Sequence, residues 1–370
     1  MMKNRIKYLN VLYHHAKVGL LVLQDDGKVA FQYDESWLKN GFSISPLSLP
    51  LTSGIFVPKS HTFDGLFGSF ADSLPDSWGQ LLLSRKLQRQ GISYQSLNIL
   101  EKLAFLTSDS LGALTYEPNY GLDNPRDTLD FDAIKKAFDD VQEDNPQDYD
   151  ALYLLGGSSG GTRPKAHVRI SDDDWIVKFP LRTDKQNVGK MEYDYNRAAL
   201  KAGLIIPSFD LFPSKWNDGY FGEMRFDRNK NGRIHVISVS GLLEVSHEYP
   251  SLDYLGLMKL TRKIAGMTEV YKVFRVMCFN VFAHNTDDHT KNFSFYYDEN
   301  KKSYMFSPSF DLTKGVMGKE HEMTVNKNGN PGLEDIYQVA RAAGLDEAWV
   351  KAETQRIENV VQEELKEYLS

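Results

Sequence analysis

The run "YKVFRVMCFNVFAH", residues 271–284, constrains the fold most. Its apolar residues lie nearly all round a helical wheel, a pattern that belongs to a buried helix. It stops abruptly at "NTDDHTKN", residues 285–292, where two aspartates, a histidine, a lysine and two asparagines crowd together. Asn and Asp are common at helix ends, where they cap and turn the chain. Capping alone leaves His289 and Lys291 unexplained, and a reaction site at the edge of a core accounts for all of them.

The chain around this run is globular in composition. Of 370 residues, 41% are hydrophobic and 25% charged, enough for about two or three domains. The one cysteine, Cys278, falls in the apolar run and is expected as a buried thiol. No disulfide framework is possible within one chain, which fits a reducing compartment. The start, "MMKNRIKYLNVLYHHAKVGLLVL", is interrupted by Tyr13, His14, His15 and Lys17 and does not read as a signal peptide. No apolar run reaches membrane-span length, so the expected location is the cytoplasm, away from the membrane. A net charge of −7 and a pI near 5.8 argue against a direct grip on nucleic acid.

Four segments follow from texture. Residues 1–117 read as an α+β domain. Within it "KVGLLVLQDDGKVAFQYD" is a hairpin around Asp-Asp-Gly, and "SLPDSWGQLLLSRKLQRQG" is a helix closed by Gly91. Residues 118–149 are a turn-rich connection with a short helix. Residues 150–228 form a β-rich lobe, with an Asn-Gly turn after "MRFDR". Residues 229–370 form a helical lobe with one β-hairpin. A cleft between the two lobes is the natural ligand site.

Chemistry-bearing residues recur in a fixed order. "GGSSGG", 156–161, is a glycine loop able to cradle phosphate through its amides. It fails as a Walker A loop, because Thr162 stands where lysine is required and a strand follows. A strand–loop–strand glycine cover of the protein-kinase kind fits better. Lys178 then sits among apolar neighbours on a strand, where a charge is costly without a partner. Glu192 lies on the next helix, as the partner of a kinase lysine would. Asp287 and Asn292 have the D-x-x-x-x-N spacing of a kinase catalytic loop, and Asp288 is one residue short of it. Asp311, in "SPSFDLT", follows a hairpin as a second metal-binding aspartate does. Magnesium favours such oxygen ligands. Each element alone has a bland reading: a flexible loop, a solvent-facing lysine, a capping cluster. Their order is far more specific than any one of them.

With those residues in place, the sequence resembles the HipA family of serine/threonine kinase toxins over nearly its whole length. "GSFADSLPDSWGQLLL" and "LGALTYEP" are similar to that family's amino-terminal domain. "GGSSGGTRPKAHV", "VKFP", "MRFDR", "FNVFAHNTDDHTKNFSF" and "SPSFDLT" follow in family order. The resemblance implies a two-lobed protein-kinase-like α+β fold, a β-rich ATP lobe plus a helical lobe, preceded by an amino-terminal α+β domain of HipA type. It implies an ATP- and magnesium-dependent serine/threonine protein kinase, the toxin of a toxin–antitoxin pair. Asp287 would be the catalytic base, and Asn292 and Asp311 the metal ligands. ATP would meet Gly157, Ser158, Ser159, Gly160, Gly161, Lys165, Lys178, His289 and Lys291. Met224 and Phe226 would lie in the hinge that meets adenine; the family usually has glutamate at the place of Met224. Glu192 and Asp288 would be supporting residues. The implied partners are a protein substrate such as an aminoacyl-tRNA synthetase and a small helix-turn-helix antitoxin, with DNA reached only through the antitoxin. Autophosphorylation is expected on Ser158, with Ser159 the alternative; two added negative charges there would repel the phosphates of ATP.

Three other readings compete. A metal-dependent phosphohydrolase would use His284, Asp287, Asp288 and His289 as ligands, but leaves the glycine loop and Lys178 idle. A small-molecule kinase on the same plan is a second. A pseudokinase acting as a binding module is a third, opposed by the presence of every expected catalytic residue.

Overall fold

The computed structural model describes residues 5–121, 130–143, 149–156, 163–250, 252–315 and 318–369. The chain divides into two compact units. One takes Met1–Gln186, Phe212–Ile237 and Gly241–Val245; the other takes Asn187–Leu211, Ser238–Ser240 and Ser246–Ser370.

The first unit holds two cores. One lies on a five-stranded antiparallel sheet in the order Ile55–Phe56, Val29–Tyr33, Ala16–Leu23, Tyr8–Tyr13, Leu114–Glu117. Alternation along Tyr8–Tyr13 sends Leu9, Val11 and Tyr13 inward, where they meet Phe31, Trp37, Phe70 and Leu103. The hairpin expected at Asp-Asp-Gly is present, with Gly27 at φ 85°.

The second core joins parts that the sequence kept apart. The helix Ser77–Arg89 contributes Trp78, Leu82, Leu83 and Leu87 to a cluster with Phe138, Tyr153, Val168 and Val177. The leucine face of this helix packs in a core that takes Tyr94, Leu97 and Phe105 from residues 1–117 and further residues from beyond them. A correction concerns the segment before the glycine loop. It is a helix, Tyr149–Gly156, and not the first strand of a strand–loop–strand cover. Leu152 and Tyr153 bury in that same core, a demand a helix meets there.

Strands Lys165–Ile170, Asp173–Lys178 and Tyr220–Met224 pair antiparallel in this unit, with Lys165 opposite Lys178 and Ile176 opposite Glu223. The two-residue period places Ala166, Val168 and Val177 on the face that packs into the core. Lys165, His167, Lys178, Phe221 and Glu223 fall on the other face. All five are buried.

The second unit is mainly helical: Val188–Lys201, Tyr254–Ala265, Met267–Phe282, Leu333–Ala343 and Glu347–Glu364, with a hairpin of Ser294–Asp298 and Ser303–Phe306. Met267–Phe282 is the buried helix anticipated from its all-round apolarity; Val273, Phe274, Met277, Cys278 and Phe279 are fully inaccessible. Burial pushes the Cys278 thiol well up, so it stays protonated and inert. The helix Val188–Lys201, placed by sequence within the 150–228 lobe, packs in this helical unit instead. The Tyr195 hydroxyl donates to the Ala283 carbonyl at 2.8 Å, and Tyr368 donates to Asp194 at 2.7 Å. Glu192 lies buried on this helix, where Asn196 Nδ2 donates to its backbone carbonyl at 2.9 Å. Among the described residues no helix is long and apolar enough to cross a membrane.

Candidate active site

The buried helix ends at Ala283, and His284 takes a left-handed φ of 51° to turn the chain out. Asn285 secures the turn: its amide N–H donates to the Asn280 carbonyl at 2.9 Å, and its Nδ2 to Asn280 Oδ1 at 3.0 Å. Asn280 is a polar residue deep in an apolar helix, and its Nδ2 continues the chain of bonds to the Tyr254 hydroxyl at 2.9 Å. Tyr254 in turn donates to Asp288 Oδ2 at 2.8 Å. Burial, and then the adjacent Asp288 carboxylate, push the Tyr254 hydroxyl far up, so it remains a donor.

Asp288 is fully engaged. Besides Tyr254 it holds His321 Nδ1 at 2.9 Å, and the Met323 amide N–H donates to Oδ1 at 3.3 Å. Asp287 is the reverse. Its side chain is exposed, and its carboxylate has no hydrogen bond or ion pair among the described residues. Its carbonyl accepts Asn292 Nδ2 at 2.9 Å. That bond uses one N–H of the Asn292 amide and leaves Oδ1 for a ligand. Two adjacent aspartates thus have different environments: one braces the loop, one is presented. Asp288→Ala strands three buried donors, so we expect a loss of about 3 kcal/mol of stability in denaturant unfolding.

Thr290–Asn292 form one 3₁₀ turn, capped by His289, whose Nδ1 accepts the Lys291 amide N–H at 3.3 Å. His289 also packs on His247 at 5.2 Å between ring centroids. Asp311 adopts a left-handed φ of 58°, an uncommon backbone for a residue with a side chain. Its neighbours Phe310 and Leu312 line one small cavity with Asn285, Asp288, Asn292 and Ser307. The Asn285 Oδ1 that borders it is buried without a partner among the described residues. Oxygen atoms of Asn292, Asp311 and Asn285 are the donor set that suits a hard divalent cation such as magnesium. Among the described residues no group of three or more His, Cys, Asp or Glu is placed to hold a metal. Asp288, one of the four ligands that a phosphohydrolase would need, is already held by Tyr254, His321 and the Met323 amide.

In the first unit, Lys178 Nζ lies 5.5 Å from the Phe221 ring centroid, on the buried polar face of the sheet. Lys165 is its cross-strand neighbour. Gly157, Ser158, Ser159, Gly160 and Gly161 lie outside the described residues.

A family model described as the HipA N-terminal domain matches residues 9–117, and one described as the HipA-like C-terminal domain matches residues 157–365. The chain belongs to the HipA family. No curated protein matches the sequence. Among solved structures, HipA of Shewanella oneidensis MR-1, in a complex with HipB and its operator DNA, is similar over 98% of this chain and 90% of its own. The TM-score is 0.71 and the identity 19%. The Helicobacter pylori proinflammatory kinase CtkA superposes weakly, at TM-score 0.38 and 13% identity, over 55% of this chain and 90% of its own. The α+β fold of HipA type that the resemblance implied is borne out.

One structural element of this HipA-family chain was not legible beforehand. "MRFDR" carries the expected hinge residues Met224 and Phe226, yet the charged residues between and beyond them form a buried clamp. Arg225 Nε and Nη2 donate to Asp227 at 2.8 and 2.7 Å, and Nη1 reaches the Asp109 carbonyl at 2.7 Å. Arg228 and Arg233 donate to the carbonyls of Ser110 and Gly112, and the Gly112 amide N–H donates to Asp227 at 2.8 Å. His167 Nδ1 sits 2.9 Å from Arg225, and burial together with that guanidinium holds the imidazole neutral. The alternation of charge in "RFDRNKNGR" was the available signal. What it lacked was the partner, a loop of backbone carbonyls more than a hundred residues earlier.

Proposed function

We propose that this HipA-family chain is an ATP- and magnesium-dependent serine/threonine protein kinase that acts as the toxin of a toxin–antitoxin pair. The observation that carries this reading is the contrast between the two aspartates. Asp287 is exposed with a free carboxylate and its backbone is held by Asn292, while Asp288 is spent on the brace. A general base must be presented to the hydroxyl whose proton it takes, and only Asp287 is presented. Asn292 and Asp311 would hold magnesium, which neutralises charge developing on the transferred phosphoryl group. Lys178 and Lys165 supply positive charge for ATP phosphates on the sheet face that also carries Phe221. Met224 and Phe226, on either side of the clamped Arg225, fit a hinge that reads adenine through its backbone. His289 acts through its cap on the 3₁₀ turn, and Lys291 stands beside it for a phosphate.

Within this reading the protein substrate is a translation component such as an aminoacyl-tRNA synthetase, and the restraining partner is a small helix-turn-helix antitoxin through which DNA is reached. Phosphorylation of Ser158, or Ser159, in the glycine loop would switch the enzyme off by placing negative charge where ATP phosphates bind. Incubation with labelled ATP and magnesium, alone and with candidate synthetases, tests the proposal. Label on protein that vanishes with Asp287→Asn and with a chelator supports it. Label that survives Asp287→Asn removes Asp287 as the base, and phosphopeptides unmodified at both serines remove the switch.

A further inference from the structure

The second unit contains a cavity that the proposed chemistry does not use. It encloses about 420 Å³ and is lined by Thr286, His284, Lys314, Lys319, His321 and Asn330, among others, with no Asp or Glu in the lining among the described residues. The wall is built onto the catalytic loop. The Gly315 amide N–H donates to the His284 carbonyl at 2.8 Å, and the Glu322 amide N–H to the Thr286 carbonyl at 3.2 Å. Gly315 approaches so closely that a Cβ there would lie 1.9 Å from Thr286 Oγ1, so only glycine fits. His321 is fixed by Asp288, and Lys314 Nζ donates to the Tyr368 carbonyl. Two carboxylates touch the wall from outside the lining: Asp288 on His321, and Glu320, which accepts Asn330 Nδ2 at 3.2 Å. Desolvation, and then the neighbouring Lys314 and His321, hold the His284 imidazole below its ordinary value, so the lysines carry the positive charge of the wall.

We propose that this cavity is a substrate-specificity subsite that takes an acidic side chain of the protein substrate, a few residues from the serine or threonine presented to Asp287. This rests on the kinase reading above. Thr286 lines the cavity and Asp287 follows it in the chain, so an acceptor at Asp287 places its neighbours at this wall. Lys314 and Lys319, with no carboxylate among the described lining residues, favour an anion. The size selects a side chain: a nucleic-acid backbone is gripped through many phosphates along a basic surface, whereas this chain carries a net charge of −7 and the cavity offers two lysines.

The test separates binding from catalysis. Fluorescent serine peptides with flanking Asp and Glu, or flanking Lys, are titrated by anisotropy against full-length Asp287→Asn protein, with Lys319→Glu and Lys319→Gln added to it. The acidic peptide should bind roughly fivefold more tightly than the basic one, Lys319→Gln should narrow the gap, and Lys319→Glu should reverse it. The preference should shrink with added salt. Equal binding of both peptides, no binding of either, or a preference that survives Lys319→Glu overturns the subsite. Two variants at an exposed position, checked by thermal melting, keep misfolding from mimicking the result. Acidic preference in a protein that transfers no phosphate would sink the kinase reading and leave the subsite standing.

Discussion

Asp287→Asn should reduce phosphoryl transfer by about a hundred- to ten-thousand-fold, the range a positioned general base contributes. The change is nearly isosteric and removes only the basic oxygen. The lost carboxylate has no partner in the described structure, so stability should stay within about 0.5 kcal/mol of the parent. That combination distinguishes a catalytic group from a structural one. Asp288, one residue on, should show the opposite pattern in unfolding, because it satisfies Tyr254, His321 and the Met323 amide. Label transfer at saturating ATP together with urea unfolding of both variants provides the check. If Asp287→Asn retained full transfer, or if it unfolded as early as Asp288→Ala, the assignment of roles would be reversed or lost.

The second large effect is expected in the clamp. Asp227 holds Arg225, Arg228 and the Gly112 amide, with both of its own oxygens engaged and the ion pairs buried. Asp227→Ala leaves two guanidiniums buried without their carboxylate, a situation that typically costs about 3–5 kcal/mol. The pH dependence has a definite sign. Burial alone would raise the Asp227 carboxyl, but Arg225 and Arg228 outweigh it and hold the group well below the usual carboxylate range. A carboxyl depressed in the folded state contributes stability above its unfolded value, about 3.9, and loses it as pH falls below that. The stability gap between parent and Asp227→Ala should therefore be full at neutral pH and narrow in acid. Denaturant unfolding at pH 7 and at pH 3 measures it; a gap that widens in acid would contradict the charge assignment. Because the clamp sits beside Met224 and Phe226, the same variant should also weaken ATP binding if those residues form the adenine hinge.

The local chemistry of the chain could be read from residue order because it depends on short spacings. The Asp287 to Asn292 interval, the apolar wheel of residues 271–284 and the Asp-Asp-Gly hairpin are all set within one turn or one helix, and the structure retains them. The same spacing separated Asp287 from Asp288 before any contact was visible. Boundaries were less legible. The helix Ser77–Arg89 reads as part of an amino-terminal domain, and its leucines share a core with nearby Tyr94 and Leu97 and with residues as far along the chain as Tyr220. The glycine loop reads as part of a strand–loop–strand cover, but the segment before it, Tyr149–Gly156, is a helix. Apolar runs announce that they will be buried without naming what will bury them.

By itself, then, the sequence determined the kind of site: which polar groups stand at the end of a buried helix, and which aspartate has the spacing of a base. Tertiary structure alone decided how those groups are held. Asp288 became a brace because Tyr254 and His321 arrive from other parts of the chain, and Arg225 became a clamp because carbonyls of residues 109–112 converge on it. Hydrogen bonds between buried groups form only where packing brings donor and acceptor within about 3 Å, and long-range packing is not encoded in the local pattern of either partner.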